Sequence, residues 1–318
     1  MFTVTELSHG KSILQLRQES LTGLVCKISP ERRTRGLDTP YIPERLAENC
    51  PFCEKNLLSQ TPVFENGNRI CIGESITFPN KYPFAERHTV TVVTRDHFVE
   101  RFTKSQVMDA LEGQAISLRG SGGYPSINWN YLPSAGASIA HPHLQGLADR
   151  RPSYLAGRYI DESPRYRAGN GSSYWEDLII HEKNTERFLF GDEICWMAHA
   201  VPLGEREVRG ILPVATLEEF EPYRELFAKG LIRVMDLYRH LGTHAFNMSL
   251  FFDSKKNDND FRAFCSIICR INPNAASMSD SAFMERIHLE PVILTLPEEL
   301  GKVCRGELSE VRPAAIYE

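Results

Sequence analysis

The chain has 318 residues, 42% of them hydrophobic and 24% charged, with a formal net charge of -5. This is the composition of an ordinary soluble globular protein with enough length for two cores. It holds no basic block for nucleic-acid phosphates and no apolar run of membrane-spanning length, so neither nucleic acid nor a membrane is an expected partner. The first nine residues lack the charged start and apolar core of a secretory signal, which points to the cytoplasm.

Residues 13–28 predict a short hairpin turning at Thr22-Gly23. The arginine-rich stretch Ser29-Pro-Glu-Arg32-Arg33-Thr-Arg35 follows. Residues 71–78 and 88–94 are rich in β-branched side chains and predict strands. Between them Phe78-Pro-Asn80-Lys-Tyr82-Pro-Phe84 is stiffened by two prolines. His88 opens the second of these strands; it is read as a surface histidine, with a position facing a nucleotide as the alternative. Residues 103–119 predict a helix capped by Thr103, with Val107, Ala110, Leu111 and Ile116 at helical spacing. A strand over 126–131 completes an α+β unit spanning roughly residues 20–150.

The polar stretch 149–173 predicts a connector. A similar pattern then returns: a short helix at 173–181, strands at 187–190, 194–199 and 207–213, and a long amphipathic helix over 217–240. Two strands at 245–252 and 261–270 are expected to pair antiparallel. The expected organisation is two α+β domains, 1–150 and 151–318.

Two local patterns carry chemistry. In Asn130-Tyr-Leu-Pro-Ser134-Ala-Gly136-Ala-Ser138-Ile-Ala-His141-Pro-His143-Leu-Gln145, residues 141, 143 and 145 share one face if they lie on a strand. The small residues before them leave backbone amides open to an anion. An imidazole beside a phosphate cradle suits attack on phosphorus through a phospho-histidine. The second pattern is Cys50-Pro-Phe-Cys53, whose spacing lets two thiolates reach one tetrahedral ion but supplies only half a site. His97 and His141 are candidates for the other half; a redox pair or two unrelated cysteines are the alternatives. Most of the eight cysteines are expected to be small buried hydrophobes rather than a disulfide framework.

The segment from Asn130 to Gln145 resembles the His-x-His-x-Gln signature of the galactose-1-phosphate uridylyltransferase family, a branch of the histidine-triad superfamily. The resemblance extends over roughly residues 20–295. It implies two histidine-triad-like domains, each an antiparallel sheet with packed helices. It makes His143 the nucleophile, with Gln145 and Ser138 on the phosphoryl group. Arg32, Arg35, Asn80, Asn130, Ser134 and Gly136 become substrate-binding residues. It also selects Cys50, Cys53, His97 and His141 as a zinc site, and implies a homodimer. Glutamine in place of a third histidine suits a transferase, because an amide is neither acid nor base near neutral pH.

Where many members carry a second His-x-His, this chain has Arg262-Ala-Phe264, so one catalytic centre per chain is expected. Glu285 and His288 are candidates to reach a substrate sugar. The implied reaction passes a nucleoside monophosphate, UMP first, from a nucleotide sugar to a hexose 1-phosphate, as in galactose metabolism. The alternatives are an ADP-glucose or dinucleoside polyphosphate phosphorylase on the same scaffold, or a non-catalytic zinc-stabilised nucleotide-binding protein.

Overall fold

The structure is a computed structural model that describes residues 1–9, 12–35, 49–255, 260–271 and 280–310. It is α+β with largely antiparallel sheets. The chain opens with β1 (Phe2–His9), β2 (Ser12–Glu19) and β3 (Val25–Ile28), which form a small sheet with β14 (Val292–Ile293). The predicted turn between β2 and β3 is present, with Gly23 at φ +74°. Strand β1 is an addition to the predicted set.

Then come α1 (Glu54–Gln60), β4 (Ile70–Ile72), β5 (Ser75–Pro79), β6 (Arg87–Val92), α2 (Lys104–Leu118), β7 (Tyr124–Tyr131) and β8 (His143–Asp149). Helix α2 begins where the sequence predicts, because Thr103 and Gln106 form a reciprocal capping box. The later elements are α3 (Tyr154–Asn170), α4 (Tyr174–Lys183), β9 (Phe188–Phe190), β10 (Cys195–Ala198), β11 (Val208–Ile211), α5 (Arg224–His240), β12 (Phe246–Phe251), β13 (Phe264–Cys269) and α6 (Pro297–Cys304).

Helix α3 corrects the predicted connector. Its composition is polar and Pro164 lies inside it, yet Ser153 caps its start by accepting from the Ala156 amide. Gly171 ends it at φ +76°, and Tyr159 and Ser163 are buried on its inner face. No helix among the described residues is long and apolar enough to cross a membrane.

The large sheet has the order β4-β5-β6-β8-β7-β12-β13-β11-β10-β9. Read inward from either edge, the strands of each half come first, second, third, fifth and fourth in chain order. The halves meet where β7 pairs antiparallel with β12, and Asn128 faces Ser249 there. The Ser249 hydroxyl donates to Asn128 Oδ1 at 2.8 Å across this join. Helices α2 and α5 cover one face, packing on Ile127, Trp129, Leu144, Met248 and Leu250. The approach of α2 is so close that a Cβ on Gly146 would lie 2.0 Å from Gln114 Oε1. The residues between these core positions, among them Asn128, Asn130, His143 and Gln145, point to the other face.

The repeat makes the two halves directly comparable. In the first, β6 and β8 pair Val92 with His143 and Val90 with Gln145. In the second, β11 and β13 pair Ile211 with Phe264 and Arg209 with Ser266. Phe264 therefore stands where His143 stands, and Ser266 where Gln145 stands. Phe264 is fully buried and rings Tyr159, Trp175 and Phe251. No imidazole occupies that position.

Around the second position lies a buried ionic cluster. Arg209 Nε donates to Glu207 Oε1 at 2.9 Å, and its Nη1 donates to the Tyr159 hydroxyl. Ser266 Oγ also donates to Glu207 Oε1, at 2.7 Å. Glu19 accepts from the hydroxyls of Tyr159, Tyr174 and Thr22, and His199 lies between Glu19 and Glu207 at 3.5 and 3.4 Å. Burial opposes ionisation of Glu19, but His199, Arg209 and Thr22 outweigh it and bring its carboxyl down to about 2. Burial likewise opposes ionisation of Glu207, and Arg209 and His199 hold it far below the carboxylate range.

Depressed carboxyl pKa values contribute stability that is present above the unfolded value near 4.5 and lost as pH falls through the folded one. The melting temperature is therefore expected to fall steadily between pH 4.5 and about 2. Glu19→Gln is expected to flatten that slope. A slope unchanged in this variant would remove Glu19 as a source of the acid sensitivity.

Candidate active site and metal centre

Strand β8 starts at His143, which sits deep in the sheet and is 6% exposed. Its Nδ1 lies 2.8 Å from the carbonyl oxygen of His141, two residues earlier. A carbonyl only accepts, so Nδ1 carries the proton and Nε2 keeps its lone pair. Burial pushes the pKa of His143 down, against a smaller opposing effect of that hydrogen bond. The ring is thus neutral at pH 7, with one nitrogen fixed as donor and the other free to attack.

The Phe52 ring packs edge-on against His143 with centroids 5.2 Å apart. Phe52 belongs to the Cys50-Pro-Phe-Cys53 turn, so the cysteine pair and the histidine are in mechanical contact. Cys53 Sγ lies 3.3 Å from His97 Nδ1 and 3.7 Å from His141 Nδ1, and Cys50 Sγ lies 3.8 Å from His141 Nδ1. The ligand atoms of Cys50, Cys53, His97 and His141 all fall within 4.8 Å of one another. Two thiolates and two imidazoles at such distances suit a tetrahedral divalent ion of the zinc type.

The backbone orients one of the two imidazoles. His141 Nε2 donates to the Thr94 carbonyl at 2.8 Å, which leaves Nδ1 unprotonated and turned to the cysteines. His97 Nε2 is buried without a hydrogen-bond partner. In the protein groups alone, burial and the neighbouring Cys50 push the Cys53 thiol up to about 11, and burial takes His141 down to about 4. A neutral His141 is the form a metal needs. The Cys53 thiol would release its proton to solvent on binding the ion. All eight cysteines are free, and Cys26, Cys195, Cys265 and Cys269 are buried within apolar surroundings.

Gln145, two residues beyond His143 on the same face, has its Oε1 2.9 Å from His88 Nε2. Asn80 Nδ2 lies 2.9 Å from the same nitrogen, and Asn80 Oδ1 accepts from the Tyr82 amide. His88 is 5% exposed, which overturns its expected surface position. The reason is register: Val90 pairs with Gln145, and His88, two residues before it, shares that face. The sequence alone cannot give that register.

The loop before His141 departs from the expected open cradle. The amides of Ala135 and Ala137 both donate to the Leu132 carbonyl, and that of Gly136 donates to Pro133. Three amides are therefore committed within the loop, while the side chains of Ser134 and Ser138 are exposed at its rim. Gly136 takes φ +85° and Leu132 φ +73°, so a left-handed kink at each end sets the turn. Asn130 reaches across to β12, where Asn247 Nδ2 donates to its Oδ1 and to the Ala135 carbonyl, both at 2.7 Å.

The remaining candidates are not gathered here. Arg32 is exposed on a 3₁₀ turn after β3, and the side chain of Arg35 lies outside the described residues. Glu285 uses both oxygens on backbone amides, those of Ala282 and Val292, and His288 is exposed beside Phe283.

No family model matches the chain. An uncharacterised protein of Archaeoglobus fulgidus is 26% identical over 314 residues, or 95% of this chain and 94% of that one. Among solved structures, an ADP-glucose phosphorylase from Arabidopsis thaliana with bound ADP-glucose aligns with a TM-score of 0.72 at 15% identity. It covers 92% of this chain and 98% of that one. A uridylyltransferase aligns with a TM-score of 0.67 at 17% identity, covering 92% and 97%. The chain has the uridylyltransferase fold. At this level of identity the likeness concerns the fold; the chemistry rests on the side chains of the site.

Proposed function

We propose that this protein is a nucleotidyltransferase that carries a nucleoside monophosphate covalently on His143. The donor is a nucleotide sugar, with UDP-hexose as the leading choice, and the acceptor is a hexose 1-phosphate. The observation that carries this reading is the Nδ1 bond of His143 to the His141 carbonyl. It fixes the tautomer a nucleophile requires, on a buried neutral ring.

In the first half-reaction His143 Nε2 attacks the α-phosphorus. The bond from that phosphorus to the bridging oxygen breaks, and hexose 1-phosphate leaves. The ring becomes cationic on phosphorylation; its proton stays on Nδ1, hydrogen-bonded to the His141 carbonyl, which stabilises the charge. The acceptor's phosphate oxygen then attacks the same phosphorus and restores neutral His143. Gln145 donates to the phosphoryl oxygens in both halves and offers no proton acceptor to activate water. Ser134, Gly136 and Ser138 sit exposed at the rim of the loop before His141; the family resemblance assigns Asn80 and Asn130 to substrate binding and Arg32 and Arg35 to the outer phosphates.

Zinc fits Cys50, Cys53, His97 and His141 and would act structurally, by tying the turn that carries Phe52 to the segment that leads into His143. Cys50→Ser is expected to lower bound zinc below half occupancy and the melting temperature by several degrees, on the order of a lost metal ligand. Zinc analysis and calorimetry on the same sample check this. Full occupancy in the variant would remove Cys50 from the ligand set.

A second reading is transfer to inorganic phosphate, since the chain shares its fold with an ADP-glucose phosphorylase as well as with a uridylyltransferase. Isotope exchange separates the two. Labelled glucose 1-phosphate is expected to exchange into UDP-glucose with no other acceptor present, the signature of a covalent intermediate. Net formation of a nucleoside diphosphate from ADP-glucose and phosphate would select the phosphorylase instead. No exchange with either sugar nucleotide would contradict both.

A further inference from the structure

The row Asn80, His88, Gln145 lies beside the proposed nucleophile, and His88 is its centre. Gln145 can serve a phosphoryl group only one way round. Its amide nitrogen donates to an anionic oxygen, whereas its carbonyl oxygen repels one. A terminal carboxamide turns readily between these orientations unless something holds it.

His88 supplies the hold. The Phe84 amide donates to His88 Nδ1 at 3.3 Å, so Nδ1 bears the lone pair and Nε2 bears the proton. That proton points at Gln145 Oε1, 2.9 Å away. With the proton on Nε2, that nitrogen cannot accept from Asn80 Nδ2, and the two donors meet at 2.9 Å without a hydrogen bond. The Phe84 ring, 4.3 Å from the imidazole centroid to centroid, fixes the plane of the His88 ring. We infer that His88 is a positioning residue: by binding Gln145 Oε1 it turns the Gln145 amide group toward the transferred phosphoryl group.

The other half of the sheet carries the same arrangement in different residues. Ser266, the counterpart of Gln145, donates to Glu207, which lies two residues before Arg209 as His88 lies two residues before Val90. There the fixed pair is closed in by Arg209 and Tyr159. In the first half the pair borders His143. The geometry of a strand-to-strand side-chain bond is thus built into both halves, and only the first has a nucleophile next to it.

The inference rests on the transferase reading for its consequence, but the bond can be tested in the protein alone. The Gln145 side-chain ¹⁵NH₂ resonances, assigned by their disappearance in Gln145→Glu, are expected to shift in His88→Leu. They are expected to return towards their original position in His88→Gln, whose terminal amide can donate from the place of Nε2. Unmoved resonances in His88→Leu would overturn the inference whatever the activity.

The second readout is the rate at which the protein gains a nucleoside monophosphate from UDP-glucose or ADP-glucose. His88→Leu is expected to slow it about 10- to 100-fold, the range for partners that orient an active group, with half-saturation changed less than about threefold. His88→Gln is expected to restore it to within about threefold of the original rate. Equal loss in both variants would assign His88 to packing and overturn its positioning role. Shifted resonances in a protein that gains no nucleotide would instead overturn the transferase reading and leave the bond standing.

Discussion

Arg209→Met is expected to destabilise the protein by about 3–5 kcal/mol, the cost of breaking a buried ion pair from one side. Arg209 is 1% exposed and stands among Glu207, Tyr159 and, through Tyr159, Glu19. Its removal leaves two buried carboxylates with neutral hydroxyl and amide donors and with His199 between them. Methionine keeps the volume, so the loss is electrostatic rather than a cavity effect. For a chain of this size the melting temperature is expected to drop roughly 4–8 °C. Adding Glu207→Gln should recover part of that loss, because one uncompensated charge disappears with it. A single variant that melts with the wild type would show that the cluster is not held by Arg209.

The second large effect is on chemistry. His143→Gly is expected to remove transfer activity by about 10⁴-fold or more, since the group that forms the covalent bond is gone. Stability should change little beyond the lost packing against Phe52, because His143 bonds only its own neighbouring carbonyl. His143→Asn serves as the partner variant. It retains polarity and much of the volume but has no nucleophilic nitrogen, so it is expected to be equally inactive and better packed. Activity in either variant would place the nucleophile elsewhere.

The two predictions concern corresponding places in one folded pattern. Each half of the sheet presents a strand start, a polar residue two further on, and a facing strand. The first half fills these positions with His143, Gln145 and His88, and borders a cysteine–histidine centre. The second fills them with Phe264, Ser266 and Glu207, and seals the place with Arg209. One scaffold thereby holds the proposed reactive site on one side and a buried ionic cluster on the other.

Different parts of this pattern were legible in the sequence to different degrees. The strands of the large sheet showed because β-branched residues alternate there, and α2 showed because Thr103 and Gln106 mark its start. The set Cys50, Cys53, His97 and His141 showed because metal ligands form a small chemical vocabulary, and the resemblance selected among them. Helix α3 did not show, since its polar composition and Pro164 outweighed the Ser153 and Gly171 caps that mark its ends. His88 was misplaced at the surface because its burial depends on a pairing register that no local pattern encodes. Glu207 and Arg209 alternate along β11 like an exposed face, yet both are buried. Their partners Glu19, Tyr159 and His199 come from distant parts of the chain. The loop amides failed for a related reason: small residues permit an open cradle, but the chain's own carbonyls at Leu132 and Pro133 take three of them.

The central claim is that His143 carries the nucleotidyl group. Intact-protein mass spectrometry at neutral pH, after separate incubation with UDP-glucose and ADP-glucose, tests it most directly. The account predicts a gain of one nucleoside monophosphate, stable to base and labile to acid, that peptide mapping places on His143 and that His143→Gly lacks. The base that gives the gain identifies the donor. An unmodified protein with both donors, or an adduct that persists in His143→Gly, would contradict the account.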